Sequence, residues 1–336
     1  MNNTQSLQAD VIIVGAGIAG LMAGNWLQEN GRSVIILEKE AALGGRMATK
    51  QLENGRADTG AQFFTVREPQ FQSYVQQWID AGVVFEWSRG WADGSMVANN
   101  ADKYPRYAVN QGMAALCQHL GQQLMIRQQI EVTSVSQQET KWQLLTIDGT
   151  TFISNALILT SPMPISFALL ARGQVMLTPE DRYQLEQIEF APCWTSVVEI
   201  EGTLDLPSPG AIQRPEATVS WIADNRQKGI SQNNTVLTMH ISPQKSRLWA
   251  LSPAHEIEGV FRQEIRPFLA KDSVIKKITV HYWPYAIPTT THPARTLLAQ
   301  NVPPLAFAGD AFAGPRVEGA ALSGLAAAMQ INQQLL

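Results

Sequence analysis

The 336-residue chain has only two cysteines, Cys117 and Cys193, far apart and outside any CxxC pair. This scarcity excludes a disulfide framework and a thiol redox motif, and reads as two reduced core thiols. The five histidines, His119, His240, His255, His281 and His292, show no ligand spacing, so no metal site is expected. Lysine and arginine never form a run and the formal net charge is −4, which argues against nucleic-acid binding. Only one apolar stretch approaches eighteen residues. That stretch, Val11 to Leu27, is broken by Gly15, Gly17, Gly20 and Gly24, so no membrane insertion is expected. Met1 to Asp10 has neither positive charge nor an apolar core and does not read as a signal peptide. A soluble, cytoplasmic protein with no indicated protein partner is the expectation. There is no internal repeat.

What is present begins at once. Asp10 to Val14 is a β-branched apolar run, as a buried parallel strand reads. Gly15-Ala-Gly17-Ile-Ala-Gly20 follows, then a helical stretch from Leu21 to Leu27, and a second apolar strand from Ser33 to Leu37 ending at Glu38. Gly15 permits the tight turn, Gly17 lets backbone approach a pyrophosphate, and Gly20 lets the helix pack on the sheet. The helix N-terminus offers free N–H groups and a partial positive charge to phosphates. Glu38, eighteen residues beyond Gly20, stands where an acid accepts ribose hydroxyls. Strand, turn, helix, second strand and acid together predict an ADP-binding βαβ unit. Leu305 to Ala308 reads as another short buried strand, ending in Gly309-Asp310, and Ala320 to Met329 as a helix of small residues.

Leu43-Gly44-Gly45-Arg46-Met47-Ala-Thr49 follows the second strand closely. A GG-Arg at this place resembles FAD enzymes of the glutathione-reductase and amine-oxidase superfamily, and separates FAD from plain NAD dehydrogenases. Ala57-Asp-Thr-Gly-Ala-Gln-Phe-Phe-Thr65, Val109-Asn-Gln-Gly-Met113, Leu157 to Pro162, Ile222-Ala-Asp-Asn-Arg226, Phe307-Ala-Gly-Asp310 and Arg316 to Gly324 extend the resemblance along the chain. Within that superfamily they are similar to the renalase-like branch. The resemblance implies FAD held by Gly15, Gly17, Ile18, Ala19 and Gly20, by Glu38 and Lys39, and by Gly44, Gly45, Arg46 and Met47. It adds Gly60, Ala61, Gln62 and Phe63, Val132 as an adenine clamp, Gly309 and Asp310, and Val317, Glu318, Gly319 and Ala320. It also implies non-covalent flavin, because Cys193 lies far upstream of the Gly309-Asp310 strand.

The expected architecture is α/β: a discontinuous Rossmann-like FAD domain (1–65, 105–162, 295–336) with an inserted α+β substrate lobe (66–104, 163–294). Strand-like runs at Thr195 to Ile200, Thr235 to Ile241 and Ile278 to Trp283 predict an antiparallel sheet in the lobe. Glu256 to Phe268 predicts an amphipathic helix.

Two demands of amine oxidation look unmet. Such enzymes place a lysine near the flavin's reactive nitrogen, and the stretch Gly173 to Gln227 holds none. They place a cage tyrosine before the Glu-Gly of the last motif, where Arg316 stands here. The renalase-like resemblance instead implies oxidation of 2- or 6-dihydro isomers of NAD(P) to NAD(P)+, with O2 reoxidising the flavin to hydrogen peroxide. No acid or base is needed, because loss of hydride makes the ring aromatic. Gln62, Phe64, Trp221, Asn225, Arg226, Tyr282, Trp283 and Arg316 are the candidates for a nicotinamide pocket. Two alternatives stay open: another flavin oxidase or desaturase acting on an amine, porphyrinogen or polyene, and a non-catalytic FAD-binding redox protein.

Overall fold

A computed structural model describes residues 7–92, 104–232, 234–312 and 314–336. Met1 to Ser6, and residues 93–103 of the expected substrate lobe, lie outside the described residues. The chain divides into two compact units, Met1–Gly45, Cys117–Glu189 and Pro288–Leu336 in the first, Arg46–Leu116 and Phe190–Ile287 in the second. By this division residues 46–65 and 105–116 group with the second unit, whereas the sequence motifs placed them with the nucleotide domain.

The first unit is built on an eight-stranded sheet. Leu7–Val14 lies in the middle, parallel to Val34–Leu37 on one side and to Thr151–Leu159 on the other. Leu305–Phe307 adds a further parallel strand beside Thr151–Leu159. Val11, Ile12 and Ile13 are fully buried, which is why this run shows no polar alternation. The helix Ile18–Glu29 follows the first strand, and the helix Val317–Gln334 packs against it. Their contact is backbone to backbone. A Cβ on Gly324 would stand 2.0 Å from the Ala19 carbonyl oxygen, so only glycine fits there.

The second unit holds a five-stranded sheet in the order Ala211–Gln213, Val219–Asp224, Thr235–Ile241, Glu189–Glu201, Val274–Thr290. Thr235–Ile241 has the predicted bounds, while the strands around Thr195 and Ile278 run several residues longer than alternation alone suggested. One face packs Val198, Ile222, Leu237 and Met239 against Ile257, Phe261 and Ile265 of the helix Ala254–Ile265. That helix gives way to a 3-10 turn at Arg266–Phe268, where Pro267 removes a backbone donor. The opposite face carries Trp221, Ala223, Thr238 and His240, and near it Ala57 of the hairpin Thr49–Leu52/Gly55–Asp58 packs on Val197 and Val236. No helix among the described residues is long and apolar enough to cross a membrane.

Candidate functional site

Two constellations carry chemistry, one in each unit. In the first, the central strand ends at Gly15, whose φ of +106° suits glycine and whose N–H donates to the Leu37 carbonyl at 2.8 Å. The next helix opens at Ile18 with Gly17 as its N-cap, and no side chain caps its first turn. The glycines divide their tasks. A Cβ on Gly20 would stand 2.0 Å from the Gly15 carbonyl oxygen, so packing alone demands glycine there. A Cβ on Gly17 would meet nothing closer than the Gly44 carbonyl at 3.9 Å, and its φ of −75° is ordinary. Nothing in the protein requires Gly17 to lack a side chain. A closely approaching pyrophosphate would supply that requirement.

Gly44 donates its N–H to the Ala16 carbonyl at 3.0 Å, which brings Gly44 and Gly45 to this turn. Glu38 is buried; its Oε2 accepts from the Ala16 N–H at 2.8 Å and its Oε1 from the Glu40 N–H at 2.9 Å. A carboxylate has about four acceptor sites, so two remain for ribose hydroxyls. An uncapped helix end, side-chain-free backbone and a fixed acid fit a dinucleotide pyrophosphate and ribose. Ile18 and Ala19 are buried in the helix, whereas Lys39 is exposed and pairs with Glu40 at 3.4 Å. Val132 opens a strand opposite Thr146. Gly309 donates to Ser323 Oγ at 2.9 Å, with Asp310 next to it. Val317, the buried Glu318, Gly319 and Ala320 form the first turn of the helix whose N-cap is the exposed Arg316.

The second constellation centres on Asp58, fully buried at the end of the hairpin. Its Oδ1 accepts from Thr49 Oγ1 at 2.6 Å and the Met113 N–H at 2.7 Å, and its Oδ2 accepts from Lys228 Nζ at 2.5 Å. Lys228 also donates to the Gln62 carbonyl at 2.5 Å, and its Nζ stands 4.9 Å from the centre of the Trp87 ring. Burial pulls the lysine below its ordinary pKa, and the Asp58 charge opposes that shift. This overturns the argument from a missing lysine. The lysine-free stretch ends at Gln227, and the next residue is a completely buried ammonium in the second unit.

Gln62 Nε2 donates to the Asp58 carbonyl at 2.7 Å and to the Gly60 carbonyl at 3.0 Å, while its Oε1 is buried with no partner. Trp221, Trp91, Trp87 and Phe63 form an aromatic cluster, with Phe63 at 5.5 Å and Trp91 at 5.1 Å from Trp221. His240 lies directly across the ladder from Trp221. Burial and then the charge of Lys228 push its pKa down to about 4, against a hydrogen bond to the Thr59 carbonyl. Trp221 Nε1, His240 Nε2, Trp283 Nε1 and Trp91 Nε1 are, like Gln62 Oε1, buried without a partner. Each such group costs on the order of 1–3 kcal/mol if left unmatched, so their concentration marks a ligand-facing region.

Other expected pocket residues are placed elsewhere. Phe64 is core, stacked on Tyr107 at 5.6 Å and edge-on to Phe71 at 5.9 Å. Asn225 has its amide fully used: Nδ2 donates to the Val236 carbonyl and Thr238 Oγ1, and Oδ1 accepts from the Asp58 N–H. Arg226 is exposed on the turn after its strand. Tyr282 packs at 4.8 Å against Trp194 on the helix-covered face of the sheet, one residue out of phase with Trp283. Among the expected flavin contacts, Arg46 donates through Nη1 to the Tyr285 and Ala286 carbonyls, with Met47 buried beside it in the 3-10 turn Gly45–Met47. Ala61 N–H donates to the Arg46 carbonyl at 2.8 Å, and a Cβ on Gly60 would lie 2.0 Å from that same oxygen. Burial pushes both cysteine thiols up to about 12, which leaves them inert. Among the described residues no group of three or more His, Cys, Asp or Glu could hold a metal.

The family profile of NAD(P)-binding Rossmann-like domains matches residues 13–78, and that of flavin containing amine oxidoreductases matches residues 82–332. Putrescine oxidase of Kocuria rosea is 31% identical over 77 residues, which are 23% of this chain and 16% of that protein. The FAD-dependent oxidoreductase dbaF of Emericella nidulans is 37% identical over 65 residues, 19% of this chain and 14% of that protein. The chain thus matches less than a fifth of the length of either relative. A candidate protoporphyrinogen oxidase from Exiguobacterium sp. 255-15 has the same fold, with a TM-score of 0.71 at 15% identity, covering 98% of this chain and 100% of that one. Putrescine oxidase bound to putrescine is similar at a TM-score of 0.68 and 15% identity, over 98% and 100% of the two chains.

Proposed function

The chain belongs to the flavin containing amine oxidoreductases, a family of FAD-dependent oxidoreductases, and we propose that it is a renalase-like oxidase within that family. Its substrates on this reading are 2- or 6-dihydro isomers of NAD(P), its products NAD(P)+ and, from O2, hydrogen peroxide. The flavin is bound non-covalently and supplies the hydride acceptor.

One observation carries the choice of substrate. On the aromatic face of the second unit Gln62 Oε1, Trp91 Nε1, Trp221 Nε1 and His240 Nε2 are neutral polar atoms buried without a partner, and the Arg106 guanidinium lies 5.5 Å from the centre of the Trp91 ring. The carboxylate among them, Asp58, is already neutralised by Lys228. An alkylammonium needs an uncompensated anion or a cage free of other cations, and the charge of Asp58 is already compensated. A flat, uncharged dihydropyridine with a carboxamide matches both the indole surfaces and the neutral hydrogen-bonding atoms. These residues bind and orient the ring; none has to move a proton.

The likeness to putrescine oxidase and the buried lysine favour a second reading, oxidation of an amine. Anaerobic stopped-flow mixing separates the two. Rapid bleaching of the flavin by the 2- or 6-dihydro isomers, with slow reaction of 4-dihydro-NAD(P), is the expected result. Faster bleaching by putrescine or benzylamine would overturn the proposal.

A further inference from the structure

We propose that Trp221 Nε1–H and His240 Nε2 form a donor–acceptor pair that recognises the primary carboxamide of the substrate, with Gln62 Oε1 as a second acceptor. The inference rests on the dihydronicotinamide reading above and names the groups that would enforce it.

Trp221 and His240 are opposite residues on neighbouring antiparallel strands, so their side chains leave the same face side by side. The segment Asp58 to Phe63 ties into both: Phe63 lies against the Trp221 ring, and the Thr59 carbonyl accepts a hydrogen bond from His240. With Nε2 buried and without a partner, the assignment that serves the Thr59 carbonyl puts the proton on Nδ1 and leaves Nε2 a lone pair. Burial keeps the ring neutral at physiological pH. Gln62 is held at both ends, its carbonyl by Lys228 and its Nε2 by two backbone carbonyls, so its free Oε1 is a fixed acceptor.

Trp221, His240 and Gln62 together therefore offer one donor and two acceptors, beside the further donor Trp91 Nε1. A primary carboxamide presents the complement, one carbonyl acceptor and two N–H donors. A carboxylate has no hydrogen for His240 or Gln62, and an ammonium has no acceptor for Trp221, so each would leave a buried group unmatched.

The test compares the 6-dihydro isomer of NAD with its 3-acetylpyridine analogue, in which a methyl group replaces the amide NH2. The apparent Kd of each is read from the concentration dependence of anaerobic flavin reduction in holoprotein. Wild type should prefer the carboxamide by roughly tenfold or more, the worth of hydrogen bonds to otherwise unmatched buried acceptors. His240→Phe should cut that preference to about threefold or less, at unchanged FAD content. Trp221→Phe should weaken both forms about equally, because both keep the carbonyl. An undiminished preference in His240→Phe overturns the pairing while leaving the function standing, since the isomers still reduce the wild type. Loss of FAD with an undiminished preference assigns the pair to the cofactor and also overturns it. Should His240→Phe not accumulate as holoprotein, Trp221→Phe decides: wild-type affinity for both forms refutes the pair. A wild type reduced by neither isomer removes the proposed function, and this inference with it.

Discussion

Replacing Lys228 by methionine is the most informative single perturbation of the second unit. Methionine matches the length of the stem and deletes the charge. The pair it breaks is completely buried on both sides, with Nζ and Oδ2 at 2.5 Å. Asp58 would keep the hydroxyl of Thr49 and the N–H of Met113 but lose its counter-charge, and the Gln62 carbonyl would lose a donor. Removing one partner of a buried ion pair costs about 3–5 kcal/mol, because the remaining charge is stranded in low dielectric. At roughly 2.1 cal/mol/K of unfolding entropy per residue, the chain's unfolding entropy is about 0.7 kcal/mol/K, so the expected fall in Tm is about 4–7 °C. The double variant Asp58→Asn/Lys228→Met removes both charges and should return to within about 1 kcal/mol of wild type, since a neutral amide oxygen still serves Thr49 and Met113. Urea denaturation followed by tryptophan emission measures all four corners of the cycle. A loss below about 1 kcal/mol in Lys228→Met, or a double variant no better than the single one, would refute the reading of this pair as a mutually dependent buried bridge.

Two further outcomes follow from the geometry. Gly17→Ala should leave the apoprotein within about 1 kcal/mol of wild type but weaken FAD binding tenfold or more, whereas Gly20→Ala should destabilise the apoprotein itself by about 1–3 kcal/mol or more. Apoprotein melts and FAD titrations distinguish them, and the opposite pattern would sink the division of tasks between the two glycines. His240 has its pKa depressed from 6.5 to about 4, so its neutral form is favoured by folding. Its contribution is fully present above about pH 6.5 and is lost as pH falls toward 4. The stability difference between wild type and His240→Phe should therefore shrink by about 2 kcal/mol between pH 7 and pH 4.5, and a difference independent of pH would show that the ring is not desolvated.

The nucleotide turn was readable because every signal in it is local. Gly15 to Gly20, the apolar strands and Glu38 sit within thirty residues, and each obeys a rule of turn geometry or periodicity. The substrate side was harder for a physical reason. Lys228 lies in the polar turn Asn225-Arg226-Gln227-Lys228-Gly229, where a lysine ordinarily faces water. Only Asp58, distant in sequence, makes it a buried ion. His240 belongs to a strand buried on both faces, so alternation cannot say which side it serves. Phe64 and Tyr282 look like pocket aromatics in sequence, yet the ring contacts of Phe64 and the strand phase of Tyr282 send them into cores. Asn225 is polar and adjacent to the right segment, but the Asp58 N–H and two acceptors of its own sheet consume its amide.

The threading of the chain through its two units has a consequence during synthesis. Leu7–Val14 is the central strand of the eight-stranded sheet, but one of its neighbours, Thr151–Leu159, is made some 145 residues later. At about 5–20 residues per second, the nascent strand waits roughly 7–30 s on the ribosome for that partner. Leu305–Phe307 joins only after a second excursion, through Phe190–Ile287. Until then a strand whose second half, Val11 to Val14, is wholly apolar has one unpaired edge, the form in which strands associate with the wrong partner. Neither unit can be excised as one continuous fragment, so the nucleotide-binding half should be recoverable from expression only as part of the whole chain.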